Sequence, residues 1–218
     1  MSSLVDLVDL ASARVGGKAL AANDEFFAPK ENLLQPGRGL FIPDKFTARG
    51  KWMDGWETRR RRTPGHDWCV VRLGMAGQIR GVDVDTNHFV GNFPERASIE
   101  ACFRPGKVAA RALLGPRTAW RVILPPSSLR GGATNLFAIE ASQVFTHVRL
   151  NIYPDGGVAR LRVYGEVGPF VCANGKTTAE MLERLHERLG NDLDTELRVA
   201  AGEQAKITRL RLEKRLAS

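Results

Sequence analysis

The sequence predicts an all-β fold, a jelly-roll β-sandwich with a C-terminal helical tail, on three observations. Across residues 11–167 short runs alternate apolar and polar side chains, which turns one face of each run toward a core. Glycine and proline fall between those runs, as turns between short antiparallel strands require. After Gly168 the β-branched residues thin out and helix formers take over. The expected division is therefore 8–167 for the β domain and 168–218 for the tail.

Taken in order, the runs at 68–73, 79–85, 120–124, 147–153 and 158–164 are the expected strands. The clearest local signal is HVRLNIYPDGGVARLRVYG, where Val148, Leu150 and Ile152 alternate with polar residues. Pro154-Asp155-Gly156-Gly157 then supplies turn residues before alternation resumes, which predicts a hairpin. Its inner face is Val148, Leu150, Ile152, Leu161 and Val163; its outer face is His147, Arg149, Asn151, Arg160 and Arg162. In the tail, TTAEMLERLHERLG starts at the cap Thr177, carries Met181, Leu182, Leu185 and Leu189 as a stripe and stops at Gly190. A second helix over 203–216 carries Ile207, Leu210 and Leu212. The tail's apolar stripe must be buried on the sandwich or on another subunit. Gly175-Lys176-Thr177 is no phosphate-binding loop, because the glycine that such a loop needs at position 170 is Phe170.

The chain has 218 residues, 43% hydrophobic and 26% charged, the balance of a folded globular protein. Cys69, Cys102 and Cys172 are odd in number and scattered, which excludes a disulfide framework or a Cys-x-x-Cys metal knuckle and points to a reducing, cytoplasmic setting. No basic leader precedes an apolar stretch and no run reaches membrane-spanning length, so no membrane partner is expected. The net charge is +8, of which the tail carries +1 and residues 1–167 carry +7. With no binding motif and no aromatic platform beside the arginine run, nucleic acid is not expected as a partner.

Chemistry concentrates in two stretches. GKWMDGWETRRRRTPGHDW, residues 50–68, sets Asp54, Glu57, His66 and Asp67 near four consecutive arginines, with Trp52, Trp56 and Trp68 interleaved as packing or rim residues. IRGVDVDTNHFVGNFP, residues 79–94, places Asp83, Asp85, His88 and Asn92 at a strand end and in the loop beyond, where a rigid scaffold carries binding groups. Neighbours in an extended run point to opposite faces, so at most two of Arg59 to Arg62 face one site and the others pair with carboxylates or meet solvent. Asp83, alternating with Val82 and Val84, is read as a hydrogen-bond acceptor for a neighbouring loop, and Asp85 and His88 as either site residues or shapers of their loop.

These phrases, with GGKALAANDEFFAPKENLLQPG, KFTARGKWMDGWETRRRRTPGHDWCVVRLG and THVRLNIYPDGGVARLRVYG, resemble the N-terminal repeat of the allantoicase family in order and spacing over residues 8–167. The resemblance implies a galactose-binding-like jelly roll and hydrolysis of allantoate to ureidoglycolate and urea in purine breakdown. Allantoicases carry two such repeats, whereas this sequence shows the first and then its helical tail. Allantoate bears a carboxylate and two ureido groups on one carbon, so its site needs arginine for the carboxylate and amide or carboxylate partners for the ureido groups. Breaking the C–N bond needs an acid for the departing urea and a base for water. Chemistry thus nominates Glu57, His66, Asp85 and His88 for proton transfer, and Arg60, Arg62, Asn92 and Arg149 for substrate binding. No metal site and no cofactor are assigned; Asp83, Asp85, His88 and His66 are ligand types that suit Mn²⁺, but no tight ligand spacing accompanies them. The expected partners are the small-molecule substrate and further copies of the chain in a homo-oligomer. The alternative is a non-catalytic or degenerate jelly-roll ligand-binding module, favoured by the missing second repeat.

Overall fold

The computed structural model describes residues 7–167. Its strands are β1 (Val8–Asp9), β2 (Lys18–Ala22), β3 (Phe46–Thr47), β4 (Gly50–Lys51), β5 (Trp56–Glu57), β6 (Asp67–Asp85), β7 (Arg96–Cys102), β8 (Arg121–Ser128), β9 (Leu136–Ala138), β10 (Val144–Tyr153), β11 (Gly157–Val158) and β12 (Arg160–Val167). The only α-helix among the described residues is the single turn α1 (Ala110–Leu113). No helix there is long and apolar enough to cross a membrane. The expected tail helices at 177–190 and 203–216 lie outside the described residues.

The fold is a jelly-roll β-sandwich built around β6. The N-terminal half of β6 pairs antiparallel with β2 on one side and β10 on the other, and β7 and β8 extend that layer. Its C-terminal half pairs with β12 and β9, and β1 closes the second layer by pairing Val8 with Gly165. One 19-residue strand therefore belongs to both layers. Sequence alone suggests two strands here, since Gly74-Met75-Ala76-Gly77 reads as punctuation. Those glycines instead allow other chain segments to approach the spine: a Cβ on Gly74 would lie 2.2 Å from the Val15 carbonyl oxygen, and one on Gly77 2.5 Å from that of Glu166.

The expected hairpin is corrected by the pairing. β10 and β12 lie on opposite sides of β6, sharing only Gly77 and Gln78 as partners, and do not pair with each other. Residues 154–159 step from one layer to the other, with Gly157–Val158 pairing onto β5 and the Gly156 carbonyl accepting from the Thr58 amide at 3.1 Å. The phase of the alternation nonetheless marks the core face, because Val148, Leu150, Ile152, Leu161 and Val163 are all fully buried between the layers with Cys69, Val71, Leu73, Ile79, Val82 and Val84. A period of two identifies the buried face of a strand but says nothing of which neighbour it pairs with.

Candidate functional site

At the end of the sandwich where β6 finishes, β5 and β11 form a short ribbon with the loop 86–95 packed over it. Gly157 permits that packing, since a Cβ there would sit 2.0 Å from the Phe89 ring. Its amide donates to the Asn92 carbonyl at 2.8 Å, which fixes Asn92 beside β5. The Asn92 side-chain amide then donates to Glu57 Oε1 at 2.7 Å. Two residues nominated separately by the sequence thus meet. Burial pushes the Glu57 carboxyl above the ordinary glutamate range, opposed by the hydrogen bond from Asn92. A carboxyl shifted in this direction is the kind of group that can act as the acid for a departing amine.

The arginine run divides by alternation, as the extended segment demands. Arg59 pairs with Asp24 at 2.7 Å and Arg61 with Asp67 at 2.6 Å, so these two hold the fold together. Arg60 and Arg62 are exposed and make no hydrogen bond or ion pair among the described residues. They are the two guanidiniums of the run left to meet an anion, three and five residues beyond Glu57.

Asp85 and His88 hold the loop in shape. Asp85 Oδ1 accepts the Asn87 amide at 2.8 Å, an Asx turn that starts the loop. His88 adopts φ 68°, stacks on Phe41 with ring centroids 5.4 Å apart, and sets Nε2 3.1 Å from the Gly39 carbonyl oxygen. A ring nitrogen facing a carbonyl carries the hydrogen, so the neutral ring presents Nδ1 as an acceptor. Asp83 accepts the Asn135 amide at 3.0 Å, and burial, reinforced by the charge of Asp85, pushes its carboxyl up to about 6. The grouping of Asp83, Asp85, His88 and His66 as ion ligands does not form: among the described residues no three His, Cys, Asp or Glu side chains are gathered to hold a metal.

Sequence reasoning missed the ion pair beneath this loop. Arg160, expected on an outer face, is only 3% exposed and binds Asp54 at 2.7 Å. The two are separated by 106 residues, and nothing local marks Asp54 as its partner.

The remaining two nominated residues lie elsewhere, on the outer face of the β2–β6–β10–β7–β8 layer. His66 packs against the Tyr153 ring at 4.8 Å. Arg149 is bound by Glu100 at 2.5 Å and stacks on Trp120 at 5.0 Å. It stands four residues, about 13 Å, along β10 from Tyr153. The sequence-nominated set therefore resolves into the Glu57–Asn92 pair with its free arginines, the clamp at Asp85 and His88, and this separate sheet face.

Residues 8–168 match the family model described as the allantoicase repeat. Residues 169–213 match the model of OHCU decarboxylase, a similarity not anticipated from the tail's composition. "Probable allantoicase 1" of Burkholderia mallei is 52% identical over 159 residues, which cover 73% of this chain and 46% of that protein. "Probable allantoicase" of Acinetobacter baylyi is 47% identical over 166 residues, 76% of this chain and 48% of that protein. The crystal structure of allantoicase from Saccharomyces cerevisiae superposes with a TM-score of 0.65 at 36% identity, covering 74% of this chain and 49% of that one. A carbohydrate-binding module of a Clostridium perfringens family 31 glycoside hydrolase shares the fold alone, with a TM-score of 0.50 at 12% identity over 74% of this chain and 96% of that one. The chain spans about half the length of the allantoicase relatives it matches.

Proposed function

The chain belongs to the allantoicase family, and on that premise we propose that its domain 8–167 hydrolyses allantoate to ureidoglycolate and urea. The observation that carries the assignment of roles is the half-buried Glu57 carboxyl, raised by burial and oriented by Asn92. In this reading Arg60 and Arg62 hold the substrate carboxylate, and Asn92 and Glu57 meet one ureido group. The bond from the central carbon to that group's nitrogen breaks, and Glu57 gives its proton to the departing urea. Water adds to the carbon and loses its proton to a base, for which His88 Nδ1 is the candidate on this loop, while Asp85 keeps the loop in place. No organic cofactor is needed for this hydrolysis.

The test is release of urea and ureidoglycolate from allantoate by the purified chain, with and without Mn²⁺. Glu57→Gln keeps the hydrogen-bonding shape and removes the proton, so kcat is expected to fall by about 100-fold or more. Release by the native chain that Glu57→Gln leaves unchanged would remove Glu57 from the reaction. Because the chain spans half the length of its relatives, the competing reading is a jelly roll that binds ligand without turning it over; folded protein that releases no urea selects it. Light scattering on the same preparation tests the proposed homo-oligomer.

A further inference from the structure

Arg160 is buried, and beyond its own neighbour Ala159 every group it reaches belongs to the two segments that flank the Glu57 loops. Its Nη2 donates to Asp54 Oδ2 at 2.7 Å and to the Arg38 carbonyl at 3.5 Å, and its Nη1 donates to the Asp54 carbonyl at 3.0 Å. Asp54 Oδ2 also accepts the Leu40 amide at 2.9 Å. The ion pair thus holds the strap 38–40 by the residues on either side of Gly39. Between them the Gly39 carbonyl faces the loop 86–95, where it accepts from Asn87 Nδ2 at 3.2 Å and meets His88 Nε2 at 3.1 Å. The strap has little slack, since a Cβ on Gly39 would lie 3.1 Å from the Asp54 carbonyl oxygen and 3.2 Å from Ala159 Cβ. Phe41, the next side chain but one, stacks on the His88 ring. Asp54 also leads into β5: a Cβ on Gly55 would lie 2.7 Å from the Phe89 ring, Trp56 is fully buried with its indole N–H on the Asp24 carbonyl at 2.8 Å, and Glu57 follows.

This pair is poorly built for stability alone. Attraction between two buried charges offsets their desolvation only where the remaining polar atoms are satisfied, and Arg160 Nε is buried with no hydrogen bond. What the pair supplies is direction. The planar guanidinium fork fixes two segments at once, and the carbonyl it leaves facing the loop selects the His88 nitrogen that carries the hydrogen. We propose that Asp54 and Arg160 are positioning residues for the hydrolysis, holding the strap so that Gly39 keeps the His88 hydrogen on Nε2 and Nδ1 remains the acceptor toward water. Neither residue touches substrate. Through Gly55 and Trp56 the same pair fixes the start of β5, so one buried contact sets the acid Glu57 and the base His88 in a common frame. The inference rests on the roles given above to Glu57 and His88.

The test follows the imidazole itself as well as turnover, in the full chain at neutral pH. The His88 Nε2–H should give a resonance in proton–nitrogen correlation spectra that exchanges slowly with water, assigned by its disappearance in His88→Gln. Arg160→Met and Asp54→Asn, each shown to be folded by circular dichroism, should speed that exchange about tenfold or more and lower kcat for urea release about tenfold or more, with KM changed by less than about threefold. Arg160→Lys, which can reach Asp54 but cannot span both segments, should fall between these variants and the native chain. Arg80→Gln breaks the pair with Glu166 at the other end of β12 and should leave both readings unchanged. Should Arg160→Met fail to fold, Asp54→Asn decides, because an asparagine can still accept the Leu40 amide. Native exchange and native kcat in a folded Asp54→Asn overturn the proposal, and so does an equal loss of both in Arg80→Gln. Faster exchange in Asp54→Asn, with no urea released by the native chain, would uphold the hold on His88 and count against the hydrolytic reading alone.

Discussion

Asp83 and His147 pull the acid stability of the protein in opposite directions. His147 is fully buried beside Thr146, and burial, with Arg72 and Arg104 nearby, holds its imidazole down to about 4. Its contribution is present above the unfolded pKa near 6.5 and is lost as pH falls from there to about 4, worth about 3 kcal/mol. Asp83 is the reverse: its carboxyl is raised to about 6, so its contribution is full below the unfolded value of 3.8 and disappears as pH rises through 6, again about 3 kcal/mol. Asp83→Asn, which can still accept the Asn135 amide, should therefore raise stability at pH 7 and steepen its loss toward pH 4. His147→Gln should reduce that loss. Denaturant midpoints for the three proteins at pH 4.5, 5.5 and 7 test this, and parallel curves would remove both residues from the pH response. The residue scale is also where the sequence was most uneven. Glu57 and Asn92 are nominated from two separate stretches that the fold joins by a hydrogen bond, and the role of Asp83 toward a neighbouring loop follows from its alternation. The pairings of Glu100 with Arg149 and of Asp54 with Arg160 are not legible, because the partners lie 49 and 106 residues apart, a distance no local pattern spans.

Strands were legible because burial on one face imposes a period of two, and every residue placed on the inner face of 147–164 is in the core. What could not be read was pairing, since β10 and β12 each pair with β6 and not with each other. The same limit hid the continuity of β6 through Gly74 and Gly77. Those glycines make a sharp test of the arrangement. Gly77→Ala would force a methyl to within 2.5 Å of the Glu166 carbonyl and 2.9 Å of Leu10, and should destabilise the domain by about 2 kcal/mol or more. Gly91→Ala, where nothing lies within 4 Å, should change the denaturant midpoint little. Equal effects at the two positions would mean that β6 does not run unbroken against β12.

At the scale of the whole molecule, the layers cannot come apart separately, because one strand supplies hydrogen bonds to both. Amides of β6 are accordingly expected to be the last to exchange with solvent, as one cooperative group spanning 69–84, and two well-separated exchange classes along β6 would contradict the shared spine. The pairing of β1 with β12 has a further effect. By holding Val8 against Gly165 it brings the two ends of the sandwich side by side, so the path of the backbone through the layers is almost a closed circle. A circle can be opened anywhere the chain is exposed and lightly held. Linking residue 167 back to residue 7 with a few glycines and serines, and cutting at the exposed tip between β3 and β4, should yield a permuted domain with the same near-ultraviolet circular dichroism. The order in which the strands are synthesised would then be shown to be separable from the architecture they build.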